Sequence, residues 1–232
     1  MPLNQRFSLK DIDYLGLTNK FLAYYVGAGR GANLVGIQSM GFSNVICIEP
    51  NKESFDYLSI LCKNKLNADK FFCFNLAVSD DEETTSLYTL KTVPMSSSLD
   101  VKWLTETRNK EFYKEKEVYE EVTTTYTLDS IISMFGKPGY IYLDVNGFEL
   151  RALCGLQERI DILSFTFVSE LLNNAISCLL RLNDIGFTEY CLLPYNDYPT
   201  KDDIWLPSDK CIKSLTFIID KWADAKGTIF CK

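Results

Sequence analysis

Short apolar runs alternate with helix-like segments along most of this sequence, and each run ends close to a glycine, a proline or an acidic residue. Such runs are typical of strands buried on both faces, and the segments between them repeat apolar residues every three to four positions, as amphipathic helices do. The alternation predicts an α/β fold with a doubly wound, mostly parallel sheet flanked by helices. The predicted strands cover residues 21–26, 44–49, 71–78, 140–145, 162–168 and 187–193.

The predicted helices cover residues 31–41, 51–66, 128–135, 148–155 and 171–185. Two strand-like segments, 86–90 and 117–125, flank a polar stretch, which predicts an insertion or lid at about 91–116. The C-terminal segment 194–232 is ambiguous, because Ile212 to Trp222 fits a helix whereas the TFII stretch within it fits a strand. The length of 232 residues is that of one elaborated domain, so a single domain over 1–232 is expected.

The composition excludes several classes of function. The chain has no histidine, which rules out an imidazole base or a histidine metal ligand. Its net charge of −7 opposes docking onto nucleic acid or an anionic membrane, so a small or neutral partner is expected. A signal-peptide core and a membrane-length apolar span are both missing, which predicts a cytoplasmic location. The eight cysteines lack the spacing of a zinc site and are predicted to be reduced, buried thiols.

Three glycines within five residues, Gly27, Gly29 and Gly31, stand where the first predicted strand turns into a helix. Glycine lets the backbone turn tightly and approach a ligand closely. Glu49 ends the second strand, where a carboxylate can accept hydrogen bonds from both hydroxyls of a ribose. These features indicate an adenosine-containing cofactor. They leave S-adenosylmethionine and a nicotinamide dinucleotide both open, because Gly27, Gly29 and Ala32 also satisfy the looser dinucleotide fingerprint.

Further motifs follow in a fixed order, and together they resemble those of the FkbM-type methyltransferases. They lie between about residues 24 and 170 and read YVGAGRG, VICIEPN, LAVSD at 76–80, SSSL at 96–99, TLDSII at 127–132 and IYLDVNGFEL at 141–150. The resemblance implies a class I methyltransferase fold that uses S-adenosylmethionine, typically for O-methylation of small molecules or glycans.

The resemblance also implies a set of cofactor-binding residues at the strand ends, namely Gly27, Ala28, Gly29, Gly31, Glu49, Asn51, Ala77, Val78 and Asp144. The glycines are expected around the methionine part, Glu49 on the ribose, and Ala77 to Asp80 beside the adenine. Asp144 is expected to face the transferable methyl as a general base or positioning group, although a strand-end aspartate also caps turns. Glu170 is the second catalytic candidate. Asp144, Glu170 and Asn146 offer oxygen ligands that suit Mg²⁺, but no metal is predicted.

Two positions depart from the family pattern. Tyr25 stands where an acidic residue usually precedes the valine of the glycine motif, and Asn146 stands where glutamate usually follows the DV of strand four. A degenerate fold that binds cofactor or a partner without catalysis is therefore one alternative, and an NAD(P)-dependent oxidoreductase is another. The aromatic residues expected to contact the acceptor are Trp103, Tyr195, Tyr198 and Trp205. Glu149 is a further candidate for the catalytic role, and pairing in the neighbourhood of Arg151 on a helix is the alternative interpretation.

Overall fold

The computed structural model describes residues 15–65, 69–91, 93–106, 117–194 and 197–232. Within these residues the strands are β1 (Leu22–Val26), β2 (Asn44–Ile48), β3 (Phe71–Phe74), β4 (Ala77–Val78), β5 (Thr84–Leu90), β6 (Val93–Ser98), β7 (Val118–Tyr126), β8 (Tyr140–Leu143), β9 (Ile162–Val168), β10 (Tyr190–Pro194) and β11 (Lys226–Cys231). The α-helices are α1 (Leu34–Ser39), α2 (Lys52–Lys65), α3 (Val101–Glu106), α4 (Leu128–Phe135), α5 (Glu149–Cys154), α6 (Leu172–Asp184) and α7 (Ser208–Lys221). A short 3₁₀ helix, Ser169–Leu171, precedes α6.

The main sheet has seven strands in the order β10-β11-β9-β8-β1-β2-β3. The pairs β1/β2, β2/β3, β1/β8 and β8/β9 are parallel, whereas β11 runs antiparallel to both of its neighbours, β9 and β10. Alternate residues of the central strands face two hydrophobic clusters. In β1, Tyr24 and Val26 face the cluster that includes α4 to α7, and Ala23 and Tyr25 face the cluster that includes α1 and α2. The doubly wound, mostly parallel α/β fold predicted from the sequence is confirmed.

A second sheet of four strands, in the order β4-β7-β5-β6, stands beside the main one. Strand β5 pairs antiparallel with both β6 and β7. The described part of the predicted insertion supplies β6 and α3 to this region, and residues 107–116 lie outside the described residues. Because β4 is the strand that follows β3, the second sheet begins at the same edge as the carboxyl ends of β1, β2 and β8.

The structure differs from the local predictions at three places. The strand predicted over 71–78 breaks at Asn75, whose side-chain amide donates to the carbonyls of Glu49 and Pro50 and so turns the chain from β3 into the second sheet. The first helix is confined to Leu34–Ser39, because residues 27–33 form the glycine turn. At the C-terminal end, the helix alternative is confirmed, because the TFII stretch lies inside α7, whereas the strand that follows it, β11, was not predicted.

No helix among the described residues combines the length and the apolar character needed to cross a membrane.

Candidate functional site

A cavity lies at the carboxyl ends of β1, β2 and β8, where ligands bind in doubly wound folds. We call it the glycine-loop cavity. It has a volume of about 830 Å³ including its open mouth. Its lining includes the predicted residues Gly27, Ala28, Gly29, Glu49, Ala77, Val78 and Asp144. Gly31 and Asn51 are not among the lining residues.

The three glycines of the turn have different structural roles, although all have positive φ angles. A Cβ atom on Gly27 would lie 1.9 Å from the carbonyl oxygen of Asp144, so only glycine lets β1 pass this close to the end of β8. At Gly29, no described atom lies within 4 Å of the Cβ position, which leaves its backbone open to a ligand. At Gly31, a Cβ would meet Leu34, Leu58 and Leu61. Gly31 therefore serves packing against α2, and the expected contact with the cofactor is not supported.

The buried Glu49 carboxylate joins the glycine turn to the start of α2. One of its oxygens accepts from the Gly29 N–H at 2.7 Å, and the other accepts from the Asn51 N–H at 2.9 Å. Asn51 in turn caps α2, because its side-chain oxygen accepts from the Ser54 N–H. Burial raises the pKa of Glu49 to about 7, the two N–H donors oppose the rise, and the charges of Asp144 and Glu121 add to it.

A network of aromatic and amide groups supports the cavity beneath the glycine turn. The Asn33 amide donates to the hydroxyl of Tyr142 at 3.0 Å and to that of Tyr25 at 3.5 Å. The two tyrosine rings pack edge to face with centroids 5.3 Å apart. Tyr198 donates to the Asn33 carbonyl. Tyr25 therefore replaces the expected carboxylate with a buried ring that still lines the cavity, and sequence reasoning missed this network.

Asp144 lies where the glycine-loop cavity meets a second one. The second cavity, which we call the Trp103 cavity, is lined by Trp103, Asp144, Asn146, Gly147, Glu149, Thr166, Phe167, Val168, Leu171, Asn174, Ala175 and Lys226. The Thr166 hydroxyl donates to one Asp144 oxygen at 3.0 Å, and the Asp144 N–H donates to the Val26 carbonyl. Asp144 and Asn146 line both cavities.

The turn after β8 is held by Glu149, the first residue of α5. Its carboxylate is buried and accepts from the N–H groups of Val145 and Gly147 and from the Asn174 amide. Burial is the main cause that raises the pKa of Glu149 to about 7, and the neighbouring charge of Asp144 contributes to the rise. Arg151 pairs instead with Asp80.

The remaining predicted residues divide into those near the cavities and those in the core. Glu170 is exposed on the 3₁₀ helix and accepts from Ser169, and among the described residues it lines neither cavity. Trp103 is on α3 and lines the Trp103 cavity. Tyr198 and Trp205 pack in or against the second hydrophobic cluster, so their expected contact with an acceptor is not supported. Tyr195 lies outside the described residues.

The fold and the position of the cavity define a class I, Rossmann-like methyltransferase fold. A crystal structure of a methyltransferase FkbM from Methylobacillus flagellatus aligns with a TM-score of 0.52 and 15% identity, covering 94% of this chain and 45% of that one. Residues 26–184 match the model of the methyltransferase FkbM domain, and the chain belongs to this family. It spans less than half the length of the Methylobacillus protein.

Two further solved structures are less similar. Precorrin-6y C5,15-methyltransferase from Geobacter metallireducens aligns with a TM-score of 0.48 and 8% identity, covering 95% of this chain and 83% of that one. An S-adenosylmethionine-dependent O-methyltransferase from Thermotoga maritima aligns with a TM-score of 0.44 and 14% identity, covering 95% of this chain and 62% of that one. No curated protein matched the sequence.

Proposed function

We propose that the protein is an S-adenosylmethionine-dependent methyltransferase that methylates a hydroxyl group of a small molecule or glycan. The observation that carries the proposal is that Asp144 and Asn146 line both the glycine-loop cavity and the Trp103 cavity. Two adjoining cavities that share a carboxylate suit a reaction between two small molecules aligned end to end.

The glycine-loop cavity offers groups that fit S-adenosylmethionine. Each Glu49 oxygen accepts one backbone N–H and keeps further lone-pair capacity for a ribose hydroxyl. Ala77 and Val78 supply an apolar wall for the adenine ring, and the open backbone at Gly29 suits close approach of the ligand. From β2 to β8 the main sheet spans two strand spacings, roughly 10 Å, so an extended ligand on Glu49 reaches towards Asp144.

S-adenosylmethionine supplies a methyl group on a sulfonium, which is already a good leaving group. The task of the chain is then to align the acceptor and to remove its proton. Asp144 would accept the proton of the acceptor hydroxyl, and Thr166 fixes the orientation of that carboxylate through its hydrogen bond. A positioned general base contributes about 10²–10⁴-fold.

The Trp103 cavity offers an acceptor site with both an aromatic and a polar side. The Trp103 ring can pack against the apolar face of a sugar. Asn174 and Lys226 line the same cavity and can hydrogen-bond to hydroxyl groups of an acceptor.

A second candidate function, cofactor binding without catalysis, is favoured by Tyr25. Its ring is buried and lines the glycine-loop cavity at the position where the family usually has an acidic residue.

An NAD(P)-dependent oxidoreductase is less consistent with the fold. The dinucleotide-binding sheet is parallel throughout, whereas in this main sheet the antiparallel strand β11 lies between β9 and β10.

Calorimetric titration with S-adenosylmethionine, S-adenosylhomocysteine and NADH tests the cofactor. We expect both sulfur ligands to bind and Glu49→Ala to weaken their binding. Binding of NADH alone would overturn the proposal.

Transfer of a labelled methyl group to a panel of hydroxylated small molecules and glycans tests the chemistry. We expect Asp144→Asn to slow turnover about 10²–10⁴-fold, and Glu170→Gln to serve as a control that leaves it unchanged. Binding of S-adenosylmethionine without transfer to any member of the panel would favour the binding module.

A further inference from the structure

Three cysteines that are far apart in the sequence meet under α2. Cys47 on β2 and Cys73 on β3 are paired directly in the parallel register of the main sheet. Cys62 on α2 packs onto the same face of these strands. The three sulfur atoms lie within 4.8 Å of one another, and none of the three cysteines is in a disulfide.

The size of this sulfur triangle suits a single soft metal ion. Three thiolates bound in one plane at about 2.3 Å from an ion stand about 4 Å apart, so a small contraction of the cluster would complete the coordination. Thiolate ligands select soft ions such as Cu(I), whereas structural zinc sites use four ligands in a tetrahedron. Because the described residues offer no fourth ligand atom to this group, the three sulfurs favour a low-coordinate soft cation.

The surroundings of the cluster provide both an unsatisfied polar atom and a route from solvent. The buried hydroxyl of Ser59 faces Cys73 and meets no hydrogen-bond partner with good geometry among the described residues. Strand β3 is at the edge of the main sheet, and Cys73 is partly exposed whereas Cys47 and Cys62 are buried. An ion can thus enter beside Cys73.

We propose that Cys47, Cys62 and Cys73 form a three-thiolate site for a soft cation of the Cu(I) type. Binding would displace the thiol protons to solvent and would tie together β2, β3 and α2. These elements flank Glu49 and Asn51, so the ion would stiffen one wall of the glycine-loop cavity. The inference does not depend on the proposed methyl transfer.

The test is titration of the reduced protein with Cu(I), without oxygen and against a coloured Cu(I) chelator. We expect the wild type to take up one Cu(I) and Cys73→Ser to weaken uptake at least 100-fold. Cys154→Ser is the matched control, because Cys154 is also partly exposed but is outside the cluster, and it should bind as the wild type does. Equal uptake by the wild type and Cys73→Ser would overturn the proposal.

X-ray absorption of the copper-loaded wild type gives a second readout that does not require any variant to fold. We expect three sulfur neighbours at about 2.3 Å. A copper shell made mainly of nitrogen or oxygen would overturn the proposal.

Discussion

Thr166 and Thr228 face each other across β9 and β11, and their hydroxyl groups have opposite environments. Thr166 donates to Asp144, whereas the Thr228 hydroxyl is buried with no hydrogen-bond partner among the described residues. A buried polar group without a partner costs about 1–3 kcal/mol. We expect Thr228→Val, which keeps the shape of the side chain, to raise the free energy of unfolding by about 1 kcal/mol in denaturant titrations.

Thr166→Val is the matched control for that substitution, since it makes the same chemical change at the paired position. It removes one hydrogen-bond donor to the Asp144 carboxylate, so we expect it to lower stability by about 1–3 kcal/mol. Equal effects of the two substitutions would contradict this account of the two hydroxyls.

Burial of Glu149 makes stability depend on pH. Because its pKa is raised from 4.5 to about 7 in the folded protein, the folded state holds a proton that the unfolded state has lost between these values. The resulting stabilisation is complete below pH 4.5 and is lost as the pH rises through 7. We therefore expect Glu149→Gln, which carries no titrating group, to gain about 2–3 kcal/mol relative to the wild type between pH 5 and pH 8.

Denaturant midpoints of both proteins measured at several pH values check this prediction. Asp129→Asn is a suitable control, because Asp129 is only partly buried at the start of α4. A stability difference between Glu149→Gln and the wild type that stays constant with pH would show that Glu149 remains ionised when folded.

At the scale of elements, the end of β6 is attached to the turn that follows β8. The Asn146 amide donates to the Ser97 carbonyl at 2.9 Å, and the Ser98 hydroxyl donates to the Asn146 carbonyl at 2.8 Å. Asn146 has a φ of 54°, a left-handed conformation that asparagine tolerates and alanine resists. These bonds connect the second sheet to the boundary between the two cavities.

Two substitutions of Asn146 separate the effect of its side-chain hydrogen bond from the effect of its backbone conformation. We expect Asn146→Gly to keep the backbone, to reduce hydrogen-exchange protection at the end of β6, and to weaken S-adenosylhomocysteine binding about three- to tenfold. Asn146→Ala should add roughly 1 kcal/mol of instability. Lys102→Ala, on the exposed side of α3, is the control. Unchanged exchange in β6 of Asn146→Gly would show that the side chain does not hold the strand.

Sequence periodicity predicts an element well when the apolar pattern of the element's own residues is enough to define it. Strand β9 was predicted at its observed bounds, Ile162–Val168, because it is a continuous apolar run. The break between β3 and β4 was missed because it depends on the Asn75 side chain reaching carbonyls 25 and 26 residues away. Strand β11 was missed because its short apolar run, Thr228–Cys231, follows a helix and has no local signal for its place in the sheet.

The candidate site likewise has one part that could be predicted from the sequence and another that could not. Gly27, Glu49 and Asp144 could be predicted to meet, because each ends a parallel strand and such ends share one edge of a sheet. The approach of Asn33 to Tyr25 and Tyr142, and the meeting of the three cysteines, depend on strand register and on how the helices pack. Sequence patterns within one segment carry no information on either.

At the scale of the whole molecule, β11 is the last strand in the chain but lies inside the main sheet. It pairs with β9 on one side and β10 on the other, so both strands lack the hydrogen bonds to β11 until β11 is in place. Ile229 is fully buried and faces Phe165 in β9 and Leu192 in β10. Proline at such a position removes a backbone donor and is tolerated only at sheet edges.

We therefore expect Ile229→Pro to destabilise the protein by at least about 3 kcal/mol, whereas Ile229→Val should cost only about 1 kcal/mol. Hydrogen exchange followed by mass spectrometry should show that β9 and β10 lose protection together, while β5 and β7 of the second sheet keep theirs. Loss of protection in β10 alone would mean that the parallel strands β1, β2, β8 and β9 form a stable sheet without β11. In that case the antiparallel strand would attach β10 to an already complete core.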